Sequence, residues 1–449
     1  VRDFALRENE LWVATESGIH IYNLHTKEYI NPKKNYDDPY ALSDNAVYTL
    51  TVDNEGGVWA GTYFGGINYQ PKQYTPFKKY FPKSSQNSLN GNAIREICED
   101  KNGNLWVGTE DGGLNKFNPK TNTFTNFTSK EKDSKGILAH YNVHALHTED
   151  DKLYIGMFEN GIDVLDTNTN KIIEHYGRES GITSDFVYAI YEGKNEELYF
   201  ITTSGIKTFD NTHNRFVPYE KFPSDKGYTC FLEDDTGVLW AGTYFDGLYT
   251  HDPNTSKTAI FSFNLDDSQS ISNNHINYLF QDSKKNIWIC TEDGLNLYNE
   301  QNDSFTRYGT HNGFPSNVFY AILEDDYGKL WISTSKGLVA FNPISEEKKI
   351  YTKADGLKSD NFNYMSAHKT KDGTMYFGSV NGMISFNPKE FTQNTYEAPI
   401  YITRLQINNN DIFVTQENSP IQESISSLDN LVLSPKQSSF SLEFAALNY

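Results

Sequence analysis

Apolar residues fall along this chain in short runs, and each run stops at a cluster of Gly, Asn or Asp. Short apolar runs punctuated by turn formers predict β-strands joined by tight turns. One stretch shows the unit: the run Ala93-Ile94-Arg95-Glu96-Ile97, the turn Asp100-Lys101-Asn102-Gly103 and the aromatic run Leu105-Trp106-Val107-Gly108-Thr109. A second turn closes on Gly113, and a more variable strand follows around Thr123-Phe124-Thr125. The unit recurs nine times. Its aromatic slot holds Trp12, Trp59, Trp106, Tyr154, Tyr199, Trp240, Trp288, Trp331 and Tyr376, spaced 41 to 48 residues apart. That period is typical of a four-stranded propeller blade. A twisted four-stranded sheet cannot bury both faces alone, so blades pack face to face and the aromatic fills the interface. The predicted fold class is all-β, a β-propeller.

Composition agrees: Phe, Tyr and Trp make up 14% of the residues and hydrophobic residues only 37%. A net charge of −20 disfavours nucleic acid as a partner. Cys98, Cys230 and Cys290 lack metal-ligand spacing and read as small buried thiols. No stretch approaches the roughly 20 apolar residues of a membrane helix, so any membrane contact is expected through a helix outside this chain.

The stretch from Ile97-Cys98-Glu99-Asp100 through Leu105-Trp106-Val107-Gly108-Thr109 to Gly112-Gly113-Leu114 resembles the two-component-regulator propeller repeat. After the ninth copy, Ala398-Pro399-Ile400-Tyr401-Ile402-Thr403 and the ending Leu442-Glu443-Phe444-Ala445-Ala446-Leu447-Asn448-Tyr449 resemble the opening strands of the immunoglobulin-like module that follows such propellers. The resemblance implies the periplasmic sensor region of a hybrid histidine kinase of the kind Bacteroidetes use to detect oligosaccharides, homodimeric in its full length. It implies two blades of an upstream propeller in residues 1–90, a seven-bladed propeller in 91–396 and part of an immunoglobulin-like module in 397–449. Nine motifs also accommodate an eight-bladed ring.

Two sets of positions are candidates for ligand binding. The innermost strand of each blade lines the propeller channel, and the register of Arg95 continues through His144, Tyr188, Thr229, Asn277, Tyr320 and Met365. Arg95 is a cation in an acidic chain, suited to a carboxylate or sulfate on a sugar. Water-holding polar residues would line such a channel equally well. The other set comes from loop length. The aromatic-to-glycine spacing is longer by one residue in four blades, and three of those loops carry Tyr63-Phe64, Phe158 and Tyr244-Phe245. Aromatic tips offer flat apolar faces to a pyranose ring, or pack onto the next blade. The joining segments Ser88-Leu89-Asn90-Gly91-Asn92, Ser272-Asn273-Asn274 and Pro315-Ser316-Asn317 read as local turn hydrogen bonding.

No nucleophile elbow, zincin helix or phosphate-binding loop appears, and the 11 histidines are scattered. The expectation is a non-catalytic domain without metal or cofactor. A propeller hydrolase or lyase with a diffuse site is one alternative, and a dimerisation scaffold that binds no sugar is another.

Overall fold

The computed structural model describes the chain except residues 73–74, 85–86, 183–185, 393–398, 417–418 and 447–449. Ala398 and Leu447-Asn448-Tyr449 of the terminal motif therefore lie outside the described residues. The chain divides into a larger unit, Thr75–Phe391, and a smaller one formed by Val1–Tyr74 and Thr392–Tyr449.

The larger unit is a β-propeller. Seven four-stranded antiparallel sheets follow one another, with innermost strands Ile94–Glu99, Val143–Glu149, Val187–Glu192, Tyr228–Glu233, Ile276–Gln281, Phe319–Glu324 and Phe362–Lys369. Each innermost strand packs beside the next, and the seventh returns to the first. The seventh sheet takes its outermost strand, Lys78–Tyr80, from the start of the unit, pairing Met383 with Tyr80 and Ser385 with Lys78. The unit thus begins at Thr75, ahead of the boundary expected at residue 91. The displacement has a physical cause: joining the two ends of the ring within one sheet leaves no gap between first and last blades.

The repeated aromatic is interface core. Trp106 packs with Val143, Leu146 and Leu153 of the following sheet, and Trp240 with Ile276 and Leu279. Each indole is also held from below. In five hairpins an Asp accepts the Trp Nε1–H through Oδ2, at 2.8 Å for Asp53 and Trp59, 3.1 Å for Asp100 and Trp106 and 2.9 Å for Asp282 and Trp288. The Oδ1 of Asp100 meanwhile accepts the backbone N–H groups of Asn102 and Asn104, closing the turn. In two of the three blades whose slot holds Tyr, a Glu takes the place of the Asp: Tyr154 donates to Glu149 and Tyr199 to Glu197.

In the smaller unit, a four-stranded sheet over residues 3–30 and a three-stranded sheet over residues 47–70 share a core of Trp12, Ile19, Ile21, Val47, Leu50 and Val58. A second three-stranded sheet pairs Ile400–Ile407 with Phe440–Ala446 and Asn410–Asp411, over a core of Leu405, Ile407 and Ile421. No helix among the described residues is long and apolar enough to cross a membrane. The three cysteines are free, Cys230 and Cys290 being buried.

Candidate functional site

The innermost strands share an irregularity that places the site. In the first strand Ile94 pairs with Thr109 and Glu96 with Gly108, leaving Arg95 unpaired in a bulge. The same skip leaves out His144, Tyr188, Thr229, Asn277 and Tyr320 in the next five sheets. A bulged residue is freed from the ladder and its side chain can be re-aimed. The bulges thus gather the register of Arg95 at one end of the channel.

The seventh strand departs from the expected register. Phe362 pairs with Ser379 and the next pair is Ala367 with Phe377, so Asn363 to Ser366 all lie in an enlarged bulge. Met365 sits there at φ +56°, in the left-handed region that a non-glycine residue enters only when its surroundings impose it. The extra residues bring Tyr364 as well as Met365 to the channel.

Together these groups surround a cavity of about 300 Å³, within the range of small-ligand pockets. Arg95, His144, Tyr188, Thr229, Asn277 and Met365 of the channel register line it, as do Phe158 and Tyr244 of the longer loops. Tyr320 stands behind the wall, its ring 4.7 Å from that of Tyr364. Phe245, 75% exposed, lies outside the lining and meets Tyr244 edge-on. Tyr63 and Phe64 belong to the smaller unit, where Tyr63 stacks on Tyr48.

Residues absent from the sequence expectation complete the wall: Glu110, Asn142, Phe186, His275, Ile276 and Tyr364. Asn142, Phe186 and His275 each directly precede an innermost strand, and Glu110 directly follows the second strand of its sheet, as Phe158 and Tyr244 do in theirs. The wall is therefore drawn mainly from recurrent register positions, with Tyr364 and Met365 supplied by the irregular seventh strand.

Rings form a girdle around the cavity. Phe158 meets Phe186 at 4.9 Å, Phe186 stacks on Tyr188 at 4.2 Å, and Tyr244 lies 4.1 Å from His275. His275 is parallel to Tyr364 at 6.5 Å, and the Arg95 guanidinium lies 5.1 Å over the Tyr364 ring. The longer loops thus both touch the next blade, through Phe186 and His275, and face the cavity.

Polar groups punctuate the girdle. Arg95 donates from Nε to His144 Nδ1 at 2.9 Å, and its NH1 lies 3.8 Å from Glu110 Oε1. Burial pulls the Arg95 pKa below its ordinary value, with Glu110 the foremost neighbour opposing it. Burial, reinforced by Arg95, holds His144 well below the usual histidine range. A neutral His144 accepting at Nδ1 carries its hydrogen on Nε2. Asn277 donates to Glu292 at 3.0 Å and to the Phe319 carbonyl at 2.9 Å. Its Oδ1 and the Oδ1 of Asn142 are buried without a partner. Deeper in the channel, Glu96 keeps part of its surface open but is surrounded by protein, and this desolvation raises its carboxyl to about 8. No cluster of side chains suited to a metal ion occurs among the described residues.

The joining segments serve the turns: Asn273 accepts from His275 N, and Asn317 from Thr310 N.

A family model described as two component regulator propeller matches residues 41–64, 88–111, 270–293 and 313–336. Histidine kinase P4 of Formosa agariphila is 27% identical over 390 residues, covering 72% of this chain and 28% of that protein. Among solved structures, the extracellular domain of the hybrid two component system BT3049 from B. thetaiotaomicron superposes with a TM-score of 0.77 at 22% identity, over 99% of this chain and 58% of that one. The extracellular domain of BT4673 from the same organism gives 0.57 at 20%, over 99% of this chain and 60% of that one. The chain therefore spans under a third of the curated relative and about three fifths of these solved domains.

Proposed function

The chain carries two-component-regulator propeller repeats, and from that premise we propose that it is the ligand-sensing part of the periplasmic region of a hybrid histidine kinase, detecting an oligosaccharide to control glycan-utilisation genes. The observation that carries this reading is the aromatic girdle with its inward polar groups, the combination a sugar requires. Flat rings cover the apolar faces of a pyranose while amides, hydroxyls and a guanidinium fix its orientation. On this reading the sheet of Ile400–Ile407 and Phe440–Ala446 opens an immunoglobulin-like module, and binding biases the arrangement of propeller and module. Such a bias requires different affinities for two arrangements, not tight binding alone. The homodimer of the full-length receptor belongs to the same proposal.

Calorimetric titration of the chain against an oligosaccharide panel, with product analysis, tests the reading. Saturable binding without turnover is expected, weakened roughly tenfold by Tyr188→Ala or Tyr244→Ala. Turnover would favour the hydrolase or lyase alternative. Absence of sugar binding, with self-association lost in Tyr244→Ala, would favour the scaffold.

A further inference from the structure

The polar atoms of the cavity sort by what they lack. Arg95 is 6% exposed and commits Nε to His144, but among the described residues its two terminal nitrogens donate no hydrogen bond. The Glu110 oxygen 3.8 Å away is beyond hydrogen-bond reach, and that same oxygen accepts from Asn363 at 3.2 Å. The Tyr364 ring lies 5.1 Å from the guanidinium carbon and the Nε bond to His144 restrains the group, so the remaining donors form a fork, the geometry that matches a carboxylate or sulfate. Beside it, His144 offers a hydrogen on Nε2. Asn142 and Asn277 present the opposite need, two buried carbonyl oxygens that lack donors. Leaving such groups unpaired is costly, so a ligand that satisfies both sets is favoured. A neutral sugar supplies hydroxyls to the amide oxygens but leaves the buried guanidinium with only the Glu110 carboxylate, 3.8 Å away and outside hydrogen-bond reach, as its counter-charge.

Resting on the oligosaccharide reading, we propose that the ligand is an anionic saccharide whose carboxylate or sulfate oxygens are held by the Arg95 fork and His144 Nε2–H, while its hydroxyls donate to Asn142 and Asn277. Glu110 competes with the ligand for Arg95, which gives the proposal a sign: neutralising Glu110 strengthens binding of the acidic sugar.

The test is calorimetric titration with uronate-containing and sulfated oligosaccharides, each beside its carboxyl-reduced or desulfated counterpart. The acidic member of the preferred pair is expected to bind roughly ten- to a hundredfold tighter, the range of a hydrogen bond to a charged group. Arg95→Gln is expected to erase the preference, lowering affinity for the acidic member far more than for the neutral one, and Glu110→Gln to raise affinity for the acidic member. Arg95→Lys, retaining charge without the fork, keeps part of the preference, and thermal melts check folding. Whether the uronate or the sulfated pair responds identifies the anion. Equal binding of both members, or a preference that survives Arg95→Gln, overturns the proposal and leaves the oligosaccharide reading standing. Absence of binding by every member overturns both.

Discussion

The Nε of Arg95 donates to Nδ1 of His144 at 2.9 Å, joining the innermost strands of two neighbouring sheets. A cation donating into this ring opposes its protonation, as burial does. The sign follows from linkage: the unfolded chain takes up a proton near pH 6.5, the folded chain only well below it, so stability present above 6.5 is lost as pH falls. Urea unfolding at pH 7.5 and pH 5 is expected to show the wild type losing about 2 kcal/mol more than His144→Gln. Equal losses would remove the buried neutral histidine from the account.

Glu96 behaves in the opposite sense. Its carboxyl is raised from 4.5 to about 8 by burial, so the folded chain holds a proton that the unfolded chain has released. The stability this proton confers is full below pH 4.5 and declines as pH rises through about 8. Glu96→Gln, uncharged throughout, is expected to gain on the wild type between pH 5 and pH 9, on the order of 3 kcal/mol. A difference that stays constant with pH would contradict it.

The hairpin Asp and slot Trp act as a clamp. Asp100 closes its turn through Oδ1 and holds the indole of Trp106 through Oδ2. Asp100→Ala leaves a fully buried indole N–H without its acceptor, and a loss of about 2 to 3 kcal/mol in denaturant unfolding is expected. Asp151→Ala, whose carboxylate pairs with Lys101 at the surface, should cost under about 1 kcal/mol.

Met365 tests whether backbone geometry or apolar character governs the seventh bulge. Its φ of +56° suits Asn and penalises a β-branched residue. Met365→Val is expected to destabilise by about 1 to 2 kcal/mol more than Met365→Asn, although Val is the closer match in polarity. The reverse order would show that side-chain packing outweighs conformation there.

Much of the propeller is legible in the sequence because its repeat is physical. The aromatic slot must fill a blade interface in every copy, so Trp106, Trp240 and Trp288 advertise the period. The register of Arg95 is legible for the same reason, since one bulge per innermost strand repeats in six sheets. Two features escape. The strand Lys78–Tyr80 carries no motif, and its place is set by closure of the ring with residues some 300 positions away. Tyr364 joins the site only because the seventh bulge spans four residues, where a fixed repeat length predicts one. Asn142, Phe186 and His275 carried a usable signal: each occupies the position directly before an innermost strand, and His275 also adjoins the joining segment Ser272-Asn273-Asn274.

The most direct test of the account is a crystal structure of the chain with an oligosaccharide that binds it. The sugar is expected inside the propeller cavity, stacked against Tyr188 or Tyr244 and within hydrogen-bond reach of Arg95 and Asn277. A sugar bound instead at Tyr63 and Phe64 of the smaller unit, with the cavity left to water, would contradict it.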